Sequence, residues 1–265
     1  ERPERPHHAP GVTCWNLRHP AAIDAQASAT TALLSEGRFT LGVGTGERLN
    51  EHVVGRGWPN VTTRLEMLRE AVVIIRMLWS GGYHSYEGKH LTLEDARVFD
   101  LPDEPPLIAV AASGEQSARL AAEFGDGLFG TEPDPEITGT YRDRGGEGPR
   151  YGEVPLAWAS NDDAALESAR EMFRFGLTGW KVQSELPNPV NFEAATAVIG
   201  PDDMKSSFGY GPDPDRHLEM IGQFVDAGYD HPVLTNAGPD PEGFFRFFEQ
   251  ELEEPIRAME LTPQT

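Results

Sequence analysis

Cysteine and long apolar runs are scarce in this sequence. Cys14 is the single cysteine among 265 residues, which excludes an internal disulfide and argues against a cysteine-based metal site. No apolar run approaches the roughly 20 residues needed to cross a bilayer, and no signal-peptide pattern opens the chain. We therefore expect a cytoplasmic protein with no metal and no membrane partner.

Basic residues are also few. The chain has 22 Lys and Arg against 43 Asp and Glu, a formal net charge of −21, and its only lysines are Lys89, Lys181 and Lys205. Such a surface repels nucleic acid and anionic membranes. Its self-repulsion would be screened by concentrated salt, so we infer a salt-loving cytoplasm. An ordinary acidic protein with a solvated surface is the alternative.

The stretch that organises the sequence is residues 37–52. Phe39, Leu41 and Val43 alternate with small or polar residues and lead into Gly44-Thr45-Gly46 and then Glu47. This pattern predicts a buried strand that ends in a loop where the backbone can lie against a ligand, with a carboxylate just beyond it. A glycine-rich turn with a solvated glutamate is the alternative. The pattern fits neither the dinucleotide fingerprint nor a Walker loop.

Parallel strands are expected to begin near residues 11, 38, 107, 126, 154 and 232, and each leads into helical sequence. An (β/α)₈ barrel needs eight strands at roughly 30 residues per unit. The fold prediction is thus an α/β TIM-type barrel that lacks its first two β/α units, with an open sheet as the alternative.

Insertions and helices complete the predicted organisation, which is a single domain over residues 1–265. Alternation at 83–99 predicts an exposed two-stranded ribbon, and 178–211 reads as an insertion of short helices and loops. Helices are predicted over 21–34, 115–124 and 241–256, among others. A further helix carries a buried stripe of residues spaced by three or four positions, namely Leu65, Leu68, Val72, Ile75 and Trp79.

Several of these motifs, in this order, resemble the luciferase-like flavin and deazaflavin superfamily. The motifs are GRFTLGVGTGERLNEH, RLEMLREAVVIIRMLW, YEGKHLTLEDARVFDLP, PPLIAVAASGEQSARLAAEFGDGLFGT and GPDPDRHLEMIGQFVDAGYDHPVLTNAGPDPEGFFRFF. Within the superfamily the chain is similar to the branch of F420-dependent glucose-6-phosphate dehydrogenase. The resemblance implies a TIM-type barrel that binds coenzyme F420, an 8-hydroxy-5-deazaflavin, at the carboxyl ends of its strands.

The resemblance also implies roles for individual residues. Glu47 matches the catalytic carboxylate beside the deazaflavin ring, and Asn50 matches a position that hydrogen-bonds the coenzyme. The remaining matches are to coenzyme-binding positions: Gly11 and Val12 behind the central ring, Cys14 against the coenzyme, and Ser113, Gly114, Gln116 and Ser117 around its phosphate. A helix start is a sound phosphate site because its free N–H groups favour anions; a simple N-cap is the alternative for Ser113.

Two features depart from that branch. The Asp-His pair that its members carry at the end of the second strand has no match here, and its loss would remove a proton-transfer group. Thr131 and Lys181 match substrate-binding positions, but a lysine position three residues after Thr131 is Asp134 in this chain. An anion site with an aspartate in it would be poor, so glucose 6-phosphate is not the expected substrate.

The expected function is hydride transfer between coenzyme F420 and a small alcohol or aldehyde, in a homodimer. An FMN-dependent luciferase-like monooxygenase is the first alternative. The second is a truncated, catalytically silent relative that binds the coenzyme or a partner subunit without turnover.

Overall fold

The structure, a computed structural model, describes residues 6–13 and 18–260. The chain divides into two compact units. The first runs to Phe129 and also contains Gly139–Pro149, whereas the second consists of Gly130–Thr138 and the chain from Arg150 onward. Both units contain parallel strands joined by helical segments.

The strands in the described part of the chain are β1 (Thr40–Val43), β2 (His84–Glu87), β3 (Thr92–Ala96), β4 (Leu107–Ala111), β5 (Gly127–Gly130), β6 (Arg150–Ala157), β7 (Gly209–Tyr210) and β8 (His231–Asn236). The α-helices there are α1 (Ala21–Leu34), α2 (Arg48–Glu51), α3 (Val61–Trp79), α4 (Glu115–Phe124), α5 (Pro135–Asp143), α6 (Asp162–Phe173), α7 (Trp180–Gln183), α8 (Pro189–Ala195), α9 (Pro214–Asp226), α10 (Pro241–Phe247) and α11 (Glu253–Glu260). Among these helices none is long and apolar enough to cross a membrane.

The first unit is organised around β4. β1 pairs with it in parallel from Thr40↔Leu107 to Val43↔Val110, and β5 pairs with its other edge. The strand predicted at residue 11 is reduced, within residues 6–13, to isolated parallel bridges that join His8 and Thr13 to the β1 segment. Pro10 lies between these bridges and has no N–H to donate, which explains why the ladder is interrupted.

Helix α3 carries the main apolar face of the first unit. Leu68, Val72, Ile75 and Trp79 of the predicted stripe are buried, whereas Leu65 is half-buried. The Asn60 side chain caps the helix by accepting a hydrogen bond from Thr63 N at 3.0 Å. At the other end Trp79 Nε1 donates to Ala25 O at 2.9 Å, which fixes α3 against α1.

A buried carboxylate anchors the β2–β3 ribbon, which lies where the sequence predicts one. The Glu70 side chain, on α3, accepts hydrogen bonds from the backbone N–H groups of Lys89, His90 and Leu91 at 2.9, 3.0 and 2.8 Å. Three donors around one carboxylate compensate for its burial. The ribbon turn is therefore fastened to the helix by polar contacts as well as by packing.

In the second unit β6 lies between β7 and β8 and is parallel to both. Two features differ from the sequence-based expectation. The strand β7 falls inside the stretch predicted to be a helical insertion, and the single closing helix predicted for 241–256 is divided by a π-helical turn at Phe248–Leu252. A two-residue strand is too short to show a periodic pattern.

Buried His217 makes the second unit sensitive to acid. Its side chain is 0% exposed, Nε2 lies 2.9 Å from Gly211 O, and the ring packs against Phe247 with centroids 5.0 Å apart. Burial is the main cause that lowers the pKa of His217 below its ordinary value. The fold therefore favours the neutral ring.

We predict that His217→Asn flattens the loss of stability on acidification. As pH falls below about 6.5, the His217 imidazole binds a proton in the unfolded chain but not in the folded chain. The contribution of this residue to the free energy of unfolding therefore decreases. Urea unfolding of wild type and variant between pH 7.5 and pH 5 measures the difference. The exposed His7→Gln variant is the control, and equal slopes for wild type and His217→Asn would contradict the prediction.

Candidate functional site

The carboxyl ends of β1 and β4 place two loops at the same edge of the first unit. Val43 pairs with Val110 in parallel register, so the segment that follows β1 and the segment that follows β4 leave the sheet side by side. The first segment is Gly44–Glu47 and the second is Ser113–Ser117. Ligand sites of α/β sheets form at this edge.

Gly44 brings the segment before β1 to the same edge. A Cβ atom on Gly44 would lie 2.9 Å from Val12 Cγ2 and 3.3 Å from Ala111 Cβ, so the backbone is packed between those side chains. Gly11 is packed in turn against the Phe129 ring, with a Cβ atom there only 2.6 Å from Cζ. The Gly11–Val12 peptide bond is cis. Predicted coenzyme positions Gly11 and Val12 thus adjoin the glycine loop.

Glu47 lies at the N-cap of the short helix α2 and is half-buried. Asn50 Nδ2 donates a hydrogen bond to Glu47 Oε2 at 2.9 Å. Burial raises the pKa of the Glu47 carboxyl above its ordinary value, and the bond from Asn50 offsets part of that rise. The two residues that the resemblance singled out after β1 therefore contact each other.

The start of α4 has the geometry expected of an anion site. Its N-cap is Gly114, so no side chain caps the helix, and the alternative of Ser113 as the N-cap is wrong. Ser117 Oγ accepts from Ser113 N at 3.1 Å and donates to Gly114 O at 2.9 Å, which closes the turn. Ser113 and Gln116 are exposed. The first N–H groups of the helix therefore lie at an exposed turn without a side-chain cap.

The remaining predicted residues lie elsewhere or outside the described residues. Thr131 follows β5 and Lys181 lies on α7, and both are exposed in the second unit. Cys14 belongs to residues 14–17, which lie outside the described part of the chain. The predicted coenzyme positions that the structure describes are all in the first unit.

The sequence interpretation missed Glu51. Its side chain is 0% exposed, and Oε2 accepts a hydrogen bond from Arg18 N at 2.9 Å. Gly46, whose φ of 76° is in the left-handed region, lies against this carboxylate. The spacing of four between Glu47 and Glu51 was the available signal, because it puts both acids on one helical turn.

Comparisons with known proteins agree with this geometry. A family model described as luciferase-like monooxygenase matches residues 9–231. The chain belongs to the luciferase-like monooxygenase family. The family resemblance inferred from the sequence is therefore confirmed.

Two curated members of this family are similar over most of the chain. The F420-dependent glucose-6-phosphate dehydrogenase of Microbacterium testaceum is 33% identical over 250 residues, which are 88% of this chain and 73% of the relative. The F420-dependent hydroxymycolic acid dehydrogenase of Mycobacterium tuberculosis is 35% identical over 226 residues, 82% of this chain and 62% of the relative. These relatives are named as F420-dependent dehydrogenases, in agreement with the branch of the superfamily predicted from the sequence.

Solved structures confirm the predicted α/β fold of the F420-dependent barrel enzymes. An F420-dependent secondary alcohol dehydrogenase in complex with an F420–acetone adduct matches with a TM-score of 0.84 at 25% identity, over 93% of this chain and 78% of that one. The F420-dependent tetrahydromethanopterin reductase of Methanopyrus kandleri matches in fold, with a TM-score of 0.74 at 20% identity over 94% of this chain and 83% of that one. The salt-loving cytoplasm, the homodimer and the single-domain organisation stay predictions.

We predict that Gly44→Ala disturbs the candidate site through its contact with Val12. The added methyl group would lie 2.9 Å from Val12 Cγ2, and overpacking of this kind costs about 1–3 kcal/mol of stability. Thermal unfolding measures the loss. Gly222→Ala in α9 is the control because nothing lies within 4 Å of its Cβ position, and alanine there favours the helix. Equal melting temperatures for Gly44→Ala and wild type would contradict this prediction.

Proposed function

We propose that the chain is an oxidoreductase that transfers a hydride between coenzyme F420 and a small uncharged alcohol or the corresponding carbonyl compound. The observation that supports this is the meeting of Gly11–Val12, Gly44–Glu47 and Ser113–Ser117 at one edge of the first unit. The relatives' dependence on coenzyme F420 agrees with it.

The described residues fit such a coenzyme. Gly44 has no side chain and so lets Val12, a predicted coenzyme position, pack against the backbone at this edge, and the uncapped start of α4 suits a phosphate. Near the first of these, Glu47 supplies an acid whose pKa is raised by burial. One edge of the first unit thus offers a backbone without a side chain at Gly44, a helix start that suits an anion, and an acid that can carry a proton.

The protein's own contribution to the reaction is placement and proton transfer. When bound, coenzyme F420 would supply a ring that accepts or donates two electrons as hydride. Glu47 would hold the proton that accompanies this change. Because Asn50 donates to Oε2, we assign proton exchange to Oε1. Burial favours the protonated carboxyl at a higher pH than for an exposed glutamate, which suits a group that must both give and take a proton.

The loop after β5 favours an uncharged substrate. Thr131 is followed by Glu132, which is exposed, and by Asp134, which is half-buried. Burial and then the charges of Asp134 and Glu132 raise the pKa of the nearby Tyr229 hydroxyl, so this loop disfavours additional negative charge. A sugar phosphate would meet repulsion here, whereas a neutral alcohol would not.

We predict that Glu47→Gln slows turnover while leaving coenzyme affinity nearly intact. Loss of the proton carrier is expected to reduce kcat about 10²- to 10⁴-fold, because glutamine cannot exchange the proton. Titration of the coenzyme's blue fluorescence in concentrated salt measures binding, and steady-state assays with a secondary alcohol measure turnover. The exposed Glu94→Gln variant on β3 is the control. Undiminished turnover by Glu47→Gln, or FMN bound in place of coenzyme F420, would contradict the proposal.

We predict that Asp134→Asn improves the use of glucose 6-phosphate relative to a neutral alcohol. Removing this charge lowers the repulsion, while the asparagine side-chain oxygen can still accept the bond that Asp134 Oδ1 receives from Glu136 N at 2.9 Å. We expect kcat/KM for the sugar phosphate to rise about 2- to 10-fold, the effect of about 0.4–1.4 kcal/mol, and that for the alcohol to stay unchanged. A wild-type preference for glucose 6-phosphate over alcohols would refute the uncharged substrate.

A further inference from the structure

Glu51 is a buried carboxylate that the proposed reaction does not use directly. It is 0% exposed, and it lies between two parts of the first unit. One contact is the hydrogen bond from Arg18 N to Oε2 at 2.9 Å, which spans 33 positions of sequence. The other is packing against Gly46, where a Cβ atom would lie 3.1 Å from Glu51 Cγ. Glu51 therefore joins the glycine loop to the segment that leads into α1.

The same turn holds Glu47. The backbone N–H groups of Asn50 and Glu51 both donate to Glu47 O, each at 3.0 Å. The helix α2 has only four residues and its N-cap makes no side-chain capping bond, so the turn has little stability of its own. Its last residue, Glu51, joins it to the segment before α1 through the bond from Arg18 N.

If packing were its only role, a buried carboxylate at position 51 would lower the stability of the fold. Asp24 of α1 is also buried, at 6% exposure, and its pKa is raised to about 6 by burial and, to a lesser degree, by the charge of Glu51. His19 Nδ1, at 3.7 Å from Asp24 Oδ1, offsets part of this effect. Two buried acids that repel each other cost stability, and the hydrogen bond that Glu51 accepts from Arg18 N offsets part of this cost.

We propose that Glu51 is a positioning residue, which holds α2 and Gly46 through its bond to Arg18 N so that the Glu47 carboxyl keeps its half-buried place. This inference rests on the proposed function insofar as Glu47 is the proton carrier. Charged side chains near this turn include Asp24, which is paired with His19, and Arg48 and His52, which lie on α2 and the turn that follows. Burial raises the pKa of Glu47 and the bond from Asn50 lowers it, so entry of water is expected to alter it.

The test compares Glu51→Met, Glu51→Asp and Glu51→Gln. Methionine removes the acceptor, and aspartate keeps the charge but is one methylene too short to reach Arg18 N. Glutamine keeps an oxygen acceptor without the charge. We expect the first two to lower the pKa of Glu47 by admitting water and to reduce kcat about 10- to 100-fold, whereas Glu51→Gln should stay close to wild type. Because Glu51→Asp also removes the bond to Arg18 N, the inference can be tested even if Glu51→Met does not fold.

The decisive measurement needs no coenzyme. Carboxyl ¹³C signals of glutamate-labelled protein are followed against pH, and the Glu47 signal is assigned by its absence in Glu47→Gln. Glu70→Met is the matched control, because Glu70 is also a buried carboxylate that accepts backbone N–H bonds in the same unit but belongs to the ribbon. It should lower the melting temperature and leave the Glu47 titration unchanged.

The outcomes separate the two proposals. An unaltered Glu47 titration in both Glu51→Met and Glu51→Asp, or an equal change in Glu70→Met, would overturn the positioning role. A wild-type protein that neither binds nor reduces coenzyme F420, but whose Glu47 titration responds to Glu51→Met, would refute the proposed function and keep the positioning role.

Discussion

The close contact between Val12 and the backbone of Gly44 is the constraint on which the candidate site depends. It exists because the segment before β1 is bridged to that strand in parallel at Thr13↔Val43 and because position 44 has no side chain. A larger residue would separate the segment before β1 from the edge of the sheet. With the contact in place, the Gly11–Val12 segment, the glycine loop after β1 and the start of α4 after β4 lie at one edge of the sheet, and Glu47 follows Gly44 by three residues.

The turn after this contact puts two glutamates into contrasting environments. Glu47 is half-buried and meets a neutral amide, whereas Glu51 is fully buried and meets a backbone N–H. Groups of the same type can take different roles when their surroundings separate them in this way. Here one carboxyl remains partly accessible to solvent while the other is fully enclosed by the fold. The four-residue helix α2 is short enough that its geometry depends on the contacts of the enclosed carboxyl.

Sequence patterns predicted the regular elements well and the contacts between distant segments poorly. The bounds of α1 and α4 agree with the predicted 21–34 and 115–124, since a proline or glycine precedes each helix and a glycine follows it closely. Strand β7 was missed because Gly209 and Tyr210 are too few to show alternation. Glu51 was missed for a different reason. Its spacing of four from Glu47 puts both acids on one helical turn but does not show which is buried, and its partner Arg18 lies 33 positions earlier in the chain.

The coenzyme and the substrate are supported by different kinds of evidence. The relatives share one coenzyme in their names, yet they are named for a sugar phosphate, a hydroxymycolic acid and a secondary alcohol. Similarity to them therefore favours coenzyme F420 more strongly than any one substrate. The proposed substrate class is therefore argued from this chain's own residues. If the loop after Thr131 contacts the substrate, Glu132 and Asp134 would act by repulsion, which disfavours anions without naming the compound that binds.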